Sequence, residues 1–218
     1  MFIILVMTFV TGVLDAVSYV GLGHVFTANM TGNVVLLGFA IAGDKQLSVA
    51  RSLVSLAAFL VGAVIGGRLG IRLAGGERHR WLLAAGVSEA VMLFIAASAA
   101  IGITAPVGVY AVIVFTAVAM GVRMATVRLL AIPDITTTVL TTTLAGLASE
   151  SPLAGGNNTR FGRRMSSVVV MFAGAALGTL LLRFGIALPL VLGATCVLGA
   201  TILYYLAPAE PLSNEQAA

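Results

Sequence analysis

The sequence predicts an all-α transmembrane protein with six spanning helices plus two short re-entrant half-helices, arranged as a 3+3 inverted repeat in a single integral membrane domain over residues 1–208. Three observations predict it. Hydrophobic residues make up 60% of the 218 and charged residues 9%, with a mean hydropathy of +1.10, which leaves too few solvating groups to cover a globular surface of that size. Six apolar runs are long enough to cross a bilayer, which needs roughly 20 residues per helix. The order span, short apolar piece, span, span then occurs twice, over about 1–103 and 107–207.

The first span lies near 1–21. Its start, MFIILVMTF, has no basic segment and no small-residue cleavage site follows, so it reads as a retained helix and not as a removed signal peptide. Asp15 lies about two turns inside the end of this span. A carboxylate there costs about 2.5–3.5 kcal/mol on insertion scales unless it is paired or hydrated. The stretch HVFTANMTGNVVLLG follows, too polar for a core segment and too apolar for a solvent loop. Its apolar part, 28–43, is about 16 residues, or roughly 24 Å of helix against a hydrocarbon core of about 30 Å. Asn29, Thr31 and Asn33 can satisfy backbone groups where a helix starts inside a membrane, or line a solute path; the residues allow both. His24, at the turn into this piece, fits a cap or a titrating gate.

The second span, 49–73, carries Gly62 and Gly66, a pair of small residues four apart that lets two helix backbones approach closely where no water drives association. The third, 81–103, carries Glu89 about two turns in, and the fourth, 107–130, carries Arg123 and Arg128. Arg123 is expected to pair with either Asp15 or Glu89. A second short piece, 134–149, opens PDITTTVLTTTLAG, with Asp134 as the candidate cap and Thr137, Thr138 and Thr141 among six threonines. Threonine suits lipid because its hydroxyl bonds back to the preceding turn. The fifth span, 164–183, repeats the glycine pair as Gly174 and Gly178, and the sixth, 186–207, holds Cys196, the single cysteine. FLVGAVIGGRL from Phe59 aligns with MFAGAALGTLL from Met171, and TANMTGNVVLL more faintly with TTVLTTTLAGL, as expected of one duplication. Tyr19, Trp81, Tyr204 and Tyr205 fall near span ends, where aromatic belts form.

Arginines cluster in two loops, RLAGGERHR and GGNNTRFGRR, so the net charge of +4 and the pI near 9.8 are a topology signal and not a nucleic-acid footprint. Cytoplasmic accumulation of Lys and Arg puts both loops on one face only if both short pieces dip in and return. Both termini then share that face, and 209–218 forms a short polar cytoplasmic tail. Lys45 and Arg51 count mildly against this arrangement.

TFVTGVLDAVSYVGLGHVFTANMTGNVVLLG resembles the opening signature of the YoaK-like family of bacterial multi-pass membrane proteins, a domain of unknown function. IPDITTTVLTTTLAGLA is similar to that family's second, threonine-rich motif. The shared pattern covers Gly12, Asp15, Asn29, Thr31, Gly32, Asn33, Thr137, Thr138 and Thr141, with Thr142 where glycine is usual. Family members carry a short polar segment before the first span, so a longer native start is expected. The resemblance implies a bacterial inner membrane and names no substrate.

The sequence holds no phosphate loop, HExxH, CxxC or GxSxG, so an enzyme, a cofactor and a metal site are not expected. Two readings stand. One is a small-solute transporter or channel whose path runs by the half-helices, near Asp15, Asn29, Asn33, Glu89, Arg123 and Thr141. The other is a non-transporting structural or accessory membrane protein whose buried polar groups only hold helices together. The expected partners are the lipid bilayer and a small polar or anionic solute, with a homo-oligomer left open and no nucleic acid.

Overall fold

The computed structural model describes residues 2–73, 78–102, 106–130, 140–157 and 159–206. Asp134, Thr137, Thr138 and the tail 209–218 lie outside the described residues. All regular structure among those described is helical. Six helices are long and apolar enough to cross a membrane. They are α1 (Phe2–Ala16, continued by a π-helical turn Val17–Gly21), α3 (Val49–Leu73), α4 (Arg78–Ala100), α5 (Pro106–Leu129), α7 (Phe161–Leu181) and α8 (Ala187–Leu206). The two shorter helices are α2 (Met30–Ile41) and α6 (Leu140–Ser149). At about 1.5 Å per residue they are roughly 18 and 15 Å long, little more than half a hydrocarbon core of about 30 Å.

The middle of the molecule is built from α1, α4, α5 and α8, which interdigitate Val10, Leu14, Leu93, Ala97, Val112, Ile113, Met120, Leu190 and Val197. Against this centre α3 packs along α5 and α7 along α1, while α4 packs on both α5 and α8. The flanking helices are seated by small residues. In α3 the buried positions are Ser52, Ser55, Ala58, Gly62, Gly66 and Gly70, one helical face with no bulk on it. A Cβ on Gly62 would meet the backbone carbonyl of Val118, and one on Gly66 would lie 2.8 Å from that of Val122. On the other side a Cβ on Gly174 would meet the carbonyl of Phe9, and one on Gly178 would lie 3.0 Å from Val13 and Ala16. Gly121 and Gly12 face back across the same two interfaces, toward Phe59 and Met171 respectively.

The outer faces are apolar. Leu60, Val61, Phe172, Leu180 and Leu203 are all exposed, far more apolar surface than a water-soluble fold carries, and lipid is the solvent that suits it. Threonines inside the spans satisfy themselves: the hydroxyls of Thr8, Thr11, Thr116, Thr126 and Thr201 each donate to the carbonyl four residues before, at 2.6–2.9 Å. Trp81, expected at a membrane interface, is instead 3% exposed, its ring lying along the small face of α3 at Gly70.

Candidate functional site

The chain reverses direction after α1 by a route that its residues dictate. The π turn Val17–Gly21 widens the helix end, and Gly23 (φ 83°) and His24 (φ 60°) take left-handed backbone, free for glycine and uncommon for histidine. Leu22, Val25, Thr27 and Ala28 then bury themselves against the core before α2 begins. Asn33 holds this returning segment in place. It is fully buried, accepts from the Phe26 N–H at 2.8 Å and donates to the Phe26 carbonyl. Ser55 on α3 donates to the same carbonyl at 2.6 Å, and the Asn33 amide lies 3.2 Å from the Ser55 hydroxyl. Asn29, one turn earlier, caps α2 by accepting from the Gly32 N–H at 3.1 Å.

Of the two roles that the sequence allowed Asn33, its contacts fit the first: it clamps the returning segment to α3 and is not among the residues of the cavity wall. Replacing it with leucine strands the Phe26 N–H, while Ser55 still donates to the Phe26 carbonyl, a loss of about 1–3 kcal/mol. Asn29→Ala removes one cap hydrogen bond and about 1 kcal/mol. Thermal unfolding of the two purified variants is expected to rank them in that order.

Ahead of α2 the chain leaves a cavity of about 580 Å³. Thr11 and Asp15, one turn apart on α1, form one wall; Tyr19 and Phe26, Asn29 and Thr31 with α2, Leu140 and Thr141 at the start of α6, and Met171 on α7 form the others. The cavity thus joins both short helices, and Asp15, Asn29, Thr31 and Thr141 meet in it. Tyr19 and Phe26 stack with centroids 5.0 Å apart, and His24 abuts Tyr19 edge-on at 5.0 Å but is itself exposed and outside the cavity wall. Among the described residues, one carboxylate oxygen of Asp15, Oδ1, is buried with no hydrogen-bond partner, and so is the hydroxyl of Thr27.

Asp15 does not pair with Arg123. That guanidinium turns the other way, donating to Glu89 on α4, to the Met7 carbonyl at 3.0 Å and to the Thr11 hydroxyl at 3.0 Å. Arg123 and Glu89 are 5% and 3% exposed. Together they border a second cavity, of about 280 Å³, enclosed by the first turns of α1 and α4 and the last turns of α5 and α8 and lined mostly by apolar side chains such as Ile4, Leu82, Val127 and Ala200. Near its mouth His79 and Tyr204 stack at 5.1 Å. Thr11 belongs to the wall of the first cavity and Arg123 to that of the second, so their hydrogen bond lies on the partition between them.

Sequence reasoning missed four contributors. Tyr19 looked like a belt residue, and Phe26 and Ser55 carried no signal beyond being near the motif, although Ser55 lies on the small-residue face that includes Gly62. Glu150, in a polar loop, binds the buried Arg164 through both carboxylate oxygens at 2.7 and 2.8 Å, tying the end of α6 to α7. No group of three or more His, Cys, Asp or Glu among the described residues is placed to hold a metal ion.

A family model described as "Protein of unknown function (DUF1275)" matches residues 3–203. The UPF0700 transmembrane protein YoaK of Bacillus subtilis (strain 168) is 38% identical over 144 residues, which is 64% of this chain and 61% of that protein. The aligned part of the chain thus spans about three fifths of the length of this curated relative. No solved structure matches the chain.

Proposed function

The chain belongs to the DUF1275 family, and from that footing we propose that it is a small-solute transporter or channel of a bacterial inner membrane, whose path is lined by two re-entrant half-helices, α2 and α6. The observation that carries this reading is the polar cavity between them: a membrane protein tolerates irregular backbone at depth where it is buried in protein or faces a wet space. The segment before α2 is buried through Leu22 and Val25 and opens on a polar wall of Asp15, Asn29 and Thr31, which supports this reading.

An inverted repeat is supported by an exchange of neighbours. Exchanging α1 with α5 and α3 with α7 turns the α1–α7 interface into the α5–α3 interface, and the meeting of Gly174 with Phe9 into that of Gly62 with Val118. Such repeats, with broken helices at their junction, are a recurrent plan of transporters whose sites lie near the bilayer midplane. The bond between Thr11 and Arg123, with Glu89 behind it, stands where the two cavities would have to join, and in this reading it is the closure of the path. The arginine-rich loops around Arg72 and Arg80 and around Arg160 and Arg163 favour a topology with both termini in the cytoplasm.

A second reading, a non-transporting structural or accessory membrane protein, draws on Asn33 and the Glu89–Arg123 pair, which join elements whatever else they do. Accessibility separates the two. In a Cys196→Ser background, cysteine at Thr31 or Thr141 is expected to react with iodoacetamide in the folded protein, whereas cysteine at Ala119, which is fully buried, stays inert. Inertness at Thr31, Thr141 and throughout residues 28–37 would leave only the structural reading.

A further inference from the structure

We propose that the cavity between the short helices takes a small organic monocation, with Asp15 as its counter-charge. The inference rests on the solute-path reading and gives it a chemical class. Its ground is the balance of charge in the wall. Among the described residues that line the cavity Asp15 is the single carboxylate, and no Lys, Arg or His joins it. The base that sequence reasoning offered it, Arg123, has both of its terminal nitrogens turned to Glu89, Met7 and Thr11. One oxygen of Asp15 is buried with no hydrogen-bond partner among the described residues. A buried carboxylate oxygen without a donor is costly until something supplies one, and an ammonium group does so with both charge and hydrogen bonds.

The rest of the wall selects an organic cation over a bare metal ion. A metal ion needs several oxygens converging on one point, and no cluster of acidic or metal-ligating residues is placed for that among the described residues. The stacked rings of Tyr19 and Phe26 offer π faces, which attract alkylammonium groups within about 6 Å. Val35, Leu36, Leu140 and Met171 cover hydrocarbon, and about 580 Å³ falls in the range of small-molecule sites, roughly 300–1,000 Å³. The hydroxyls of Thr31 and Thr141 and the amide of Asn29 remain for a polar substituent. An anionic solute, one of the alternatives that the sequence left open, would meet Asp15 with no cation among the described wall residues to offset it.

The test uses the full chain in detergent or nanodiscs, with Cys196→Ser and Thr31→Cys, and follows the rate of iodoacetamide labelling. Benzylammonium at pH 7, which carries both the charge and the N–H donors, is expected to slow labelling saturably, while benzylsulfonate and sodium chloride at the same concentration leave the rate unchanged. Adding Asp15→Asn is expected to raise the half-protecting concentration about tenfold or more, the loss of one charge-assisted contact. Equal shielding by benzylsulfonate or by sodium chloride, no shielding at all, or full shielding in the folded Asp15→Asn protein overturns the inference. If Asp15→Asn does not fold, the comparison of cation with anion on the Asp15 parent decides alone. A Thr31→Cys protein that never reacts sinks the solute path itself, and so is distinguishable from a site that is open but takes no cation.

Discussion

Arg123→Ala is expected to destabilise the folded protein by about 3–5 kcal/mol, read as loss of thermal stability in detergent, because it leaves Glu89 buried with its counter-charge gone. The side chain ties three elements together: it reaches Glu89 on α4 and both Met7 and Thr11 on α1 from its place on α5. Glu89→Ala is expected to cost less, since the guanidinium keeps the Met7 carbonyl and the Thr11 hydroxyl as acceptors. The charge-swapped pair, Glu89→Arg with Arg123→Glu, is not expected to recover stability. A carboxylate at position 123 would face the Met7 carbonyl, acceptor against acceptor, where the guanidinium now donates. Replacing both residues with methionine is expected to recover most of the loss, because Thr11 already donates to Met7 at 2.9 Å and is left satisfied. If the single and double variants melt together, the pair is not what holds α1, α4 and α5 in register. Stability that returns in the methionine pair while solute flux does not would separate the closure role from the structural one.

That Arg123 pairs with Glu89 and not with Asp15 marks a boundary of what the sequence makes readable. Apolar length is a local property, so the six spans and the shortness of the pieces containing α2 and α6 could be read from composition along the chain. Burying a charge in a span demands a partner, which is also local. The choice of partner depends on how helices distant in sequence are rotated about their axes, and no short stretch encodes that. Asn29 and Asn33 make the same point within one helix. They lie four residues apart in one polar motif, yet Asn29 caps α2 beside the cavity while Asn33 is sealed behind it, because Ser55 of α3 and the Phe26 peptide come to meet Asn33. Polarity announced that the stretch was special; its division of labour came from packing. Gly121 escaped notice for a related reason, and Gly12 entered only through the family resemblance. Neither has a second glycine four positions away, and each matters only because another helix's backbone comes against it.

Valine at Gly62 or Gly174 is expected to produce the second largest loss, about 1–3 kcal/mol from overpacking alone and more where the facing helix cannot retreat. At both positions the obstacle is backbone, the Val118 carbonyl of α5 and the Phe9 carbonyl of α1, so no side-chain rotation can make room and the helices must separate. Gly67 and Gly199 are helical glycines with open space around them. Alanine at either is expected to be neutral or to stabilise by about 0.5–1 kcal/mol, the ordinary gain from removing a helical glycine. Gly121 faces the same α3–α5 interface as Gly62, through Phe59 and Ala63. Once Gly62→Val has forced those helices apart, Gly121→Val should cost less than it does alone, and the double variant should fall short of the sum. Gly62→Val with Gly174→Val acts on two separate interfaces, so those losses should add. Melting temperatures of the three single and two double valine variants test this directly: full additivity for Gly62 with Gly121 would mean that the α3–α5 helices do not meet backbone to backbone.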